Sequence, residues 1–146
     1  MNRRDALGSV TSLAALSLGA LACRSAMADE AAHHHHDHEA NPLLDAAMEC
    51  VKRGQDCVSH CIQLLGAGDT SMGGCAAASR DMLAGMEALA ALASSKSKRL
   101  PEIARALVKL CEDCVAQCAP HAEKHPVCKA CQDACQRTIE VVGKLG

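Results

Sequence analysis

The chain has 146 residues, a formal net charge of -2 and no Phe, Tyr or Trp. That length suits one domain, the charge gives no concentrated basic face for nucleic acid, and the absence of aromatics argues against a β-sandwich, which leans on aromatic and β-branched residues. What remains for a core is Leu, Ala, Val, Ile, Met and Cys, with eleven cysteines and six methionines, a set that a narrow helical bundle can use.

Residues 1–28 read as an export signal. Asn2-Arg3-Arg4-Asp5-Ala6-Leu7 is a charged start, a moderately apolar run follows to Ala22, and Ala26-Met27-Ala28 offers a small-x-small cleavage site. The paired arginines resemble a twin-arginine signal, with Ala6 where a bulky apolar residue is usual. The run is short and broken by Gly and Ser, so an uncleaved anchor is the weaker reading and no membrane span is expected after cleavage. Cys23 leaves with the signal. The expectation is an exported, periplasmic protein of 118 residues, its charge taken from -2 to -4 as Arg3, Arg4, Arg24 and Asp5 depart.

Residues 29–41 form a tether with His33, His34, His35, His36, Asp37, His38 and Glu39. It lacks apolar periodicity. Two readings stand: a solvated linker, or a chelating tract for Cu(II), Zn(II) or Ni(II).

Residues 42–146 are expected to be the folded part. Asn41-Pro42 starts a first helix with a cap residue and a proline at the first helical position, and Gly66-Ala67-Gly68 ends it. A second helix begins near Asp69, Thr70 and Ser71 and fades through Ser94 and Ser95. The third runs from about Lys98 to Ala119, with Pro101 in its first turn and Pro120 as a stop. A fourth follows from Pro126 to about Gly143.

Each segment repeats in sevens. Leu43, Cys50, Cys57 and Leu64 adjoin Ala47, Gly54 and Cys61; Cys75, Met82 and Leu89 adjoin Ser79, Met86 and Ala93; Leu100, Leu107 and Cys114 adjoin Ala104, Cys111 and Cys118; and Cys128, Cys135 and Val142 adjoin Cys131, Thr138 and Leu145. Four inward faces joined by short loops predict an all-α fold, an antiparallel up-down four-helix bundle with a Cys-lined core. Cys61, Cys75, Cys118 and Cys128 sit near two loops at one end, so the core divides into a sulfur-rich half and an aliphatic half. Cys50 and Cys61 are separated by roughly 16 Å along a helix axis, which makes the sulfur a column.

Three chemistries compete for that column. Disulfides suit an exported chain, but cysteines three or four apart on a helix hold their Cβ atoms about 5 to 6 Å apart, beyond the 3.5 to about 4.5 Å that a disulfide needs. Bonds between helices remain open, with Cys118-x9-Cys128 resembling half of a twin-Cx9C hairpin. Zinc is suggested by Cys111-x2-Cys114-x13-Cys128-x2-Cys131, yet a four-thiolate zinc site keeps two negative charges that a dry core without Lys or Arg tolerates poorly. Iron–sulfur ligation would want cysteines on loops. Cu(I) meets the constraints together: it is soft, takes two or three thiolate or thioether ligands, and cancels one thiolate charge per ion. Cys57 with Cys61, Cys114 with Cys118, and Cys131 with Cys135 are i, i+4 pairs able to clasp one ion each. A filled column approaches neutrality at about one ion per core cysteine, or ~10 per chain, a capacity that fits storage and not catalysis. No acid/base or nucleophile constellation accompanies the thiols, so no enzyme is expected; the alternative is a zinc- or disulfide-stabilised helical interaction module.

Cys57-Val58-Ser59-His60-Cys61, Gly68-Asp69-Thr70-Ser71-Met72-Gly73-Gly74-Cys75-Ala76 and His121-Ala122-Glu123-Lys124-His125-Pro126-Val127-Cys128-Lys129-Ala130-Cys131 together resemble the bacterial copper storage proteins, over nearly all of residues 42 to 142. The resemblance implies a four-helix bundle filled with Cu(I) held mostly by CxxxC pairs, a homotetramer, and partners limited to copper ions and a copper donor or acceptor protein. Met86 stands where a further cysteine would be expected and Thr138 at another position of the sulfur stripe, which lowers the capacity.

The candidate metal ligands are Cys50, Cys57, Cys61, Cys75, Cys111, Cys114, Cys118, Cys128, Cys131 and Cys135, with Met82, Met86, His60 and His121 added. Met82 and Met86 share the face of Cys75 and serve either as thioether ligands or as packing. His60 and His121 lie about 60° off the sulfur stripe, as ligands closing the loop end or as solvated boundary residues. His125 is read as a cap of the fourth helix, Met72 as a guard at the entrance, and Met48 as pointing away from Cys50.

Overall fold

The computed structural model describes residues 41–145. The expected signal peptide, Cys23 and residues 29–40 of the histidine-rich tether lie outside the described residues.

Four helices account for most of what is described: α1 (Pro42–Gly66), α2 (Gly73–Ser94), α3 (Leu100–Cys118) and α4 (Pro126–Gly143). Among the described residues there is no strand, and no helix is long and apolar enough to cross a membrane. The fold is all-α. Each helix packs against two others, α1 on α2 and α4, and α3 on α2 and α4, so the four close into a ring.

Local chemistry sets the boundaries. Asn41 caps α1, its Oδ1 accepting from Leu44 N at 3.1 Å, with Pro42 in the first turn, where a missing N–H costs nothing. The Nδ2 of the same side chain donates to the Ala93 carbonyl at 3.2 Å, which ties the start of α1 to the end of α2. At the far end of α1, Gly68 turns the chain with φ 95°, a conformation open to glycine.

One expected boundary moves, and one expected cap is engaged elsewhere. The second helix starts at Gly73 and not near Asp69, because Asp69 spends its carboxylate on Ser71, accepting from its N at 3.1 Å and its Oγ at 2.6 Å. Those bonds close a 3-10 turn, Thr70–Met72, ahead of α2. At α4, His125 occupies the cap position but its side chain makes no capping hydrogen bond. Its Nδ1 lies instead 3.0 Å from His60 Nε2 on α1, so the imidazole is spent between helices.

The core has two kinds of filling. Leu43, Ala47, Leu89, Ala93, Ala104 and Val142 are buried around the end marked by the Asn41–Ala93 bond. The ten cysteines of the described chain, together with Met72, Met82 and Met86, are fully enclosed. Met48 is half exposed, as its helical phase requires.

Candidate metal centre

Period-seven spacing brings all ten cysteines to the inside, because residues three and four apart on a helix share a face. Every one has zero exposure, and all ten are free thiols. They do not lie singly. Cys57, Cys61, Cys75 and Cys128 have sulfurs within 4.8 Å of one another, as do the sets Cys50, Cys111 and Cys135; Cys57, Cys118 and Cys131; and Cys114, Cys131 and Cys135.

These sets share members, so the column is continuous. Cys57 Sγ stands 3.7 Å from Cys75 Sγ and 4.0 Å from the sulfurs of both Cys118 and Cys128. Cys114 lies 3.8 Å from Cys118 in its own helix and 3.7 Å from Cys131 on α4. The CxxxC pairs thus keep company with thiols of neighbouring helices. Among the described residues the only buried polar side chains are Ser79 and Thr138, so no cation is enclosed with the sulfur.

A stack of thiols of this kind is chemically a receptor for a soft metal. Comparison with known families agrees: the model described as copper storage protein matches residues 37–145. The chain belongs to the copper storage protein family. A search of curated proteins finds no match.

Within this member of the copper storage family the thiols share protons. Hydrogen bonds from Cys118, Cys131 and Cys75 hold the Cys57 thiol well below its usual range, and Cys118, Cys131 and Cys135 do the same for Cys114. Cys111 and Cys135 bring Cys50 down to about 4. The donors move the other way: Cys118 is pushed up by giving its proton to Cys114 and Cys131, and Cys135 by giving to Cys111 and Cys114. Cys61 and Cys128, nearer the loops, are raised chiefly by burial. The metal-free column therefore mixes thiols that give up their protons readily with thiols that hold them, and a metal must displace the latter.

The remaining candidates divide. Met86 Sδ accepts from the Cys111 thiol at 3.6 Å, which brings the thioether beside the Cys50, Cys111 and Cys135 set. Met82 is enclosed and packs over Gly54 of α1, where an added Cβ would stand 2.7 Å from its Cε. Histidines 60 and 121 are partly buried and fall outside the four thiol sets. His60 bonds to His125, whose ring centroid lies 6.4 Å from that of His121. Three imidazoles thus gather at the loop end, His125 among them because of the chain reversal before α4.

Two hydroxyls inside the sulfur went unremarked as contacts in the sequence. Ser79 Oγ lies 3.5 Å from Cys57, 3.6 Å from Cys114 and 3.9 Å from Cys118. Thr138 Oγ1 lies 3.1 Å from Cys50 Sγ. Their positions on the heptad rows, Ser79 next to Cys75 and Thr138 next to Cys135, were the available signal.

Proposed function

We propose that the protein stores Cu(I) in its thiol column, at about one ion per core cysteine, or ~10 per chain. The observation that carries this is the overlap of four enclosed thiol sets with no enclosed cation. A monovalent ion that replaces one thiol proton leaves such a core close to neutral, whereas a divalent ion held by four thiolates leaves two negative charges in it. The ligands are the ten cysteines, with Met82 and Met86 as thioether donors and His60 and His121 at the loop end. No step of catalysis is involved. The cargo arrives from a copper donor protein or as the ion, and leaves to an acceptor. Export by the twin-arginine-like signal to the periplasm, and assembly as a homotetramer, complete the reading.

One set favours a second metal locally. Sulfurs of a tetrahedral zinc site stand about 3.8 Å apart, given a Zn–S bond of about 2.3 Å, and Cys57 lies 3.7 Å from Cys75 and 4.0 Å from Cys128. The same titration separates the two. Reduced protein lacking residues 1–28 is titrated anaerobically with Cu(I) against a chelator, and separately with Zn(II). Uptake of about ten Cu(I) is expected. Saturation near two metals of either kind, or loss of thiol titre on oxidation without metal uptake, would overturn storage.

A further inference from the structure

A serine within a helix ordinarily returns its hydroxyl proton to the carbonyl one turn earlier, or turns to solvent. Ser79 does neither. It has zero exposure, and its three hydrogen-bond partners are the sulfurs of Cys57 on α1 and of Cys114 and Cys118 on α3. Cys131 of α4 shares a thiol set with two of these partners, Cys57 and Cys118. No charged side chain is buried with them among the described residues.

Thr138 is the internal comparison. Its proton has two carbonyl acceptors, Ala134 O at 3.2 Å and Ala46 O at 3.3 Å, which compete for it with Cys50 Sγ at 3.1 Å. The Ser79 hydroxyl has no carbonyl to serve: it gives to Cys57 Sγ, and such a bond is strong wherever the accepting sulfur is a thiolate.

We propose that Ser79 is a positioning residue for copper loading, a single O–H donor directed at Cys57 and within reach of Cys114 and Cys118, which stabilises excess negative charge on these sulfurs while thiolates outnumber ions. The inference rests on the Cu(I) reading above. A Cu(I) ion held by two thiolates carries one net negative charge, and in a core without cations a hydroxyl dipole is the means at hand to offset it. A small hydroxyl also fits where a further sulfur would have extended the stripe, so the site exchanges one ligand for one donor.

The test compares wild type, Ser79→Ala and Ser79→Thr as reduced proteins lacking residues 1–28, with helicity checked by circular dichroism. At one or two Cu(I) per chain, competition against a chelator is expected to show about tenfold weaker binding in Ser79→Ala, the lower end for a hydrogen bond to a charged group, with the total number of ions unchanged. Ser79→Thr, which keeps the hydroxyl, is expected to restore the wild-type affinity. In the metal-free proteins, thiolate absorbance at fixed pH is expected to fall in Ser79→Ala and to recover in Ser79→Thr. Equal affinity and equal absorbance in wild type and Ser79→Ala, or equal losses in Ala and Thr variants, would overturn the donor role. Should wild type take up no Cu(I), the storage reading fails, while the absorbance comparison still decides whether Ser79 donates to the thiolates.

Discussion

Cys75 on α2 and Cys118 on α3 bring their sulfurs to 3.2 Å, with a hydrogen bond between the two thiols. That is well beyond a disulfide bond of about 2.04 Å, yet close enough for one to form after a small rotation. Mild oxidation of the metal-free protein is therefore expected to trap a Cys75–Cys118 crosslink between the two helices. Peptide mapping under non-reducing conditions checks it. Copper loading should suppress the crosslink, because metal-bound thiolates are no longer free to couple.

The shared thiols matter more than the terminal ones. Cys57 belongs to two sulfur sets and Cys61 to one. Cys57→Ser is expected to reduce capacity more than Cys61→Ser, because it takes a ligand from two sets and Cys61→Ser takes one from a single set. Native mass spectrometry of the loaded proteins counts the difference.

Loading must depend on pH. Burial pushes the Cys61 and Cys128 thiols up, so both keep their protons at neutral pH, and a metal that needs the thiolate must displace them. Protons compete better as pH falls, so binding at these positions weakens with acid and loading releases protons. Cys50, held down to about 4 by Cys111 and Cys135, gives up its proton more readily than these two, and its loading depends less on pH. Titration in weak buffer with a pH-stat is expected to give fewer protons than ions.

Met86 offers a substitution that separates ligation from packing. Its sulfur meets Cys111 at 3.6 Å, and Leu has nearly the same volume. Met86→Leu should cost less than about 1.5 kcal/mol of stability. If the thioether is a ligand, Cu(I) affinity at the Cys50, Cys111 and Cys135 set falls several-fold while thermal unfolding barely changes. Competition titration beside a melting curve reads both.

Gly54 sits on the inner row of α1, and an added Cβ would stand 2.7 Å from Met82 Cε and 2.9 Å from Leu83 Cδ2. The methionine end can swing, but Leu83 must change rotamer. Gly54→Ala is expected to destabilise the metal-free bundle by about 1 to 3 kcal/mol through overpacking, and Leu83→Ala in the same chain should relieve part of it. Denaturant unfolding measures the two.

The sequence by itself determined the four helices and the inward, cysteine-lined face of each. Helical phase is a local property: once Cys50, Cys57 and Cys61 recur at sevens and fours, no arrangement of neighbours can put them on different faces. The ends of α1 and α4 were equally legible, since a proline at the first turn needs no partner to act. Tertiary packing decided what lies across the core. Which thiols of different helices share a set, as Cys57 does with Cys75, Cys118 and Cys128, depends on the axial stagger of the helices, which no single heptad row encodes. The same holds for His125, expected as a cap and found against His60, and for the two hydroxyls. Ser79 and Thr138 look alike as stripe interruptions in the sequence. Only the neighbours of each, sulfurs for one and carbonyls for the other, fix the direction in which its proton points.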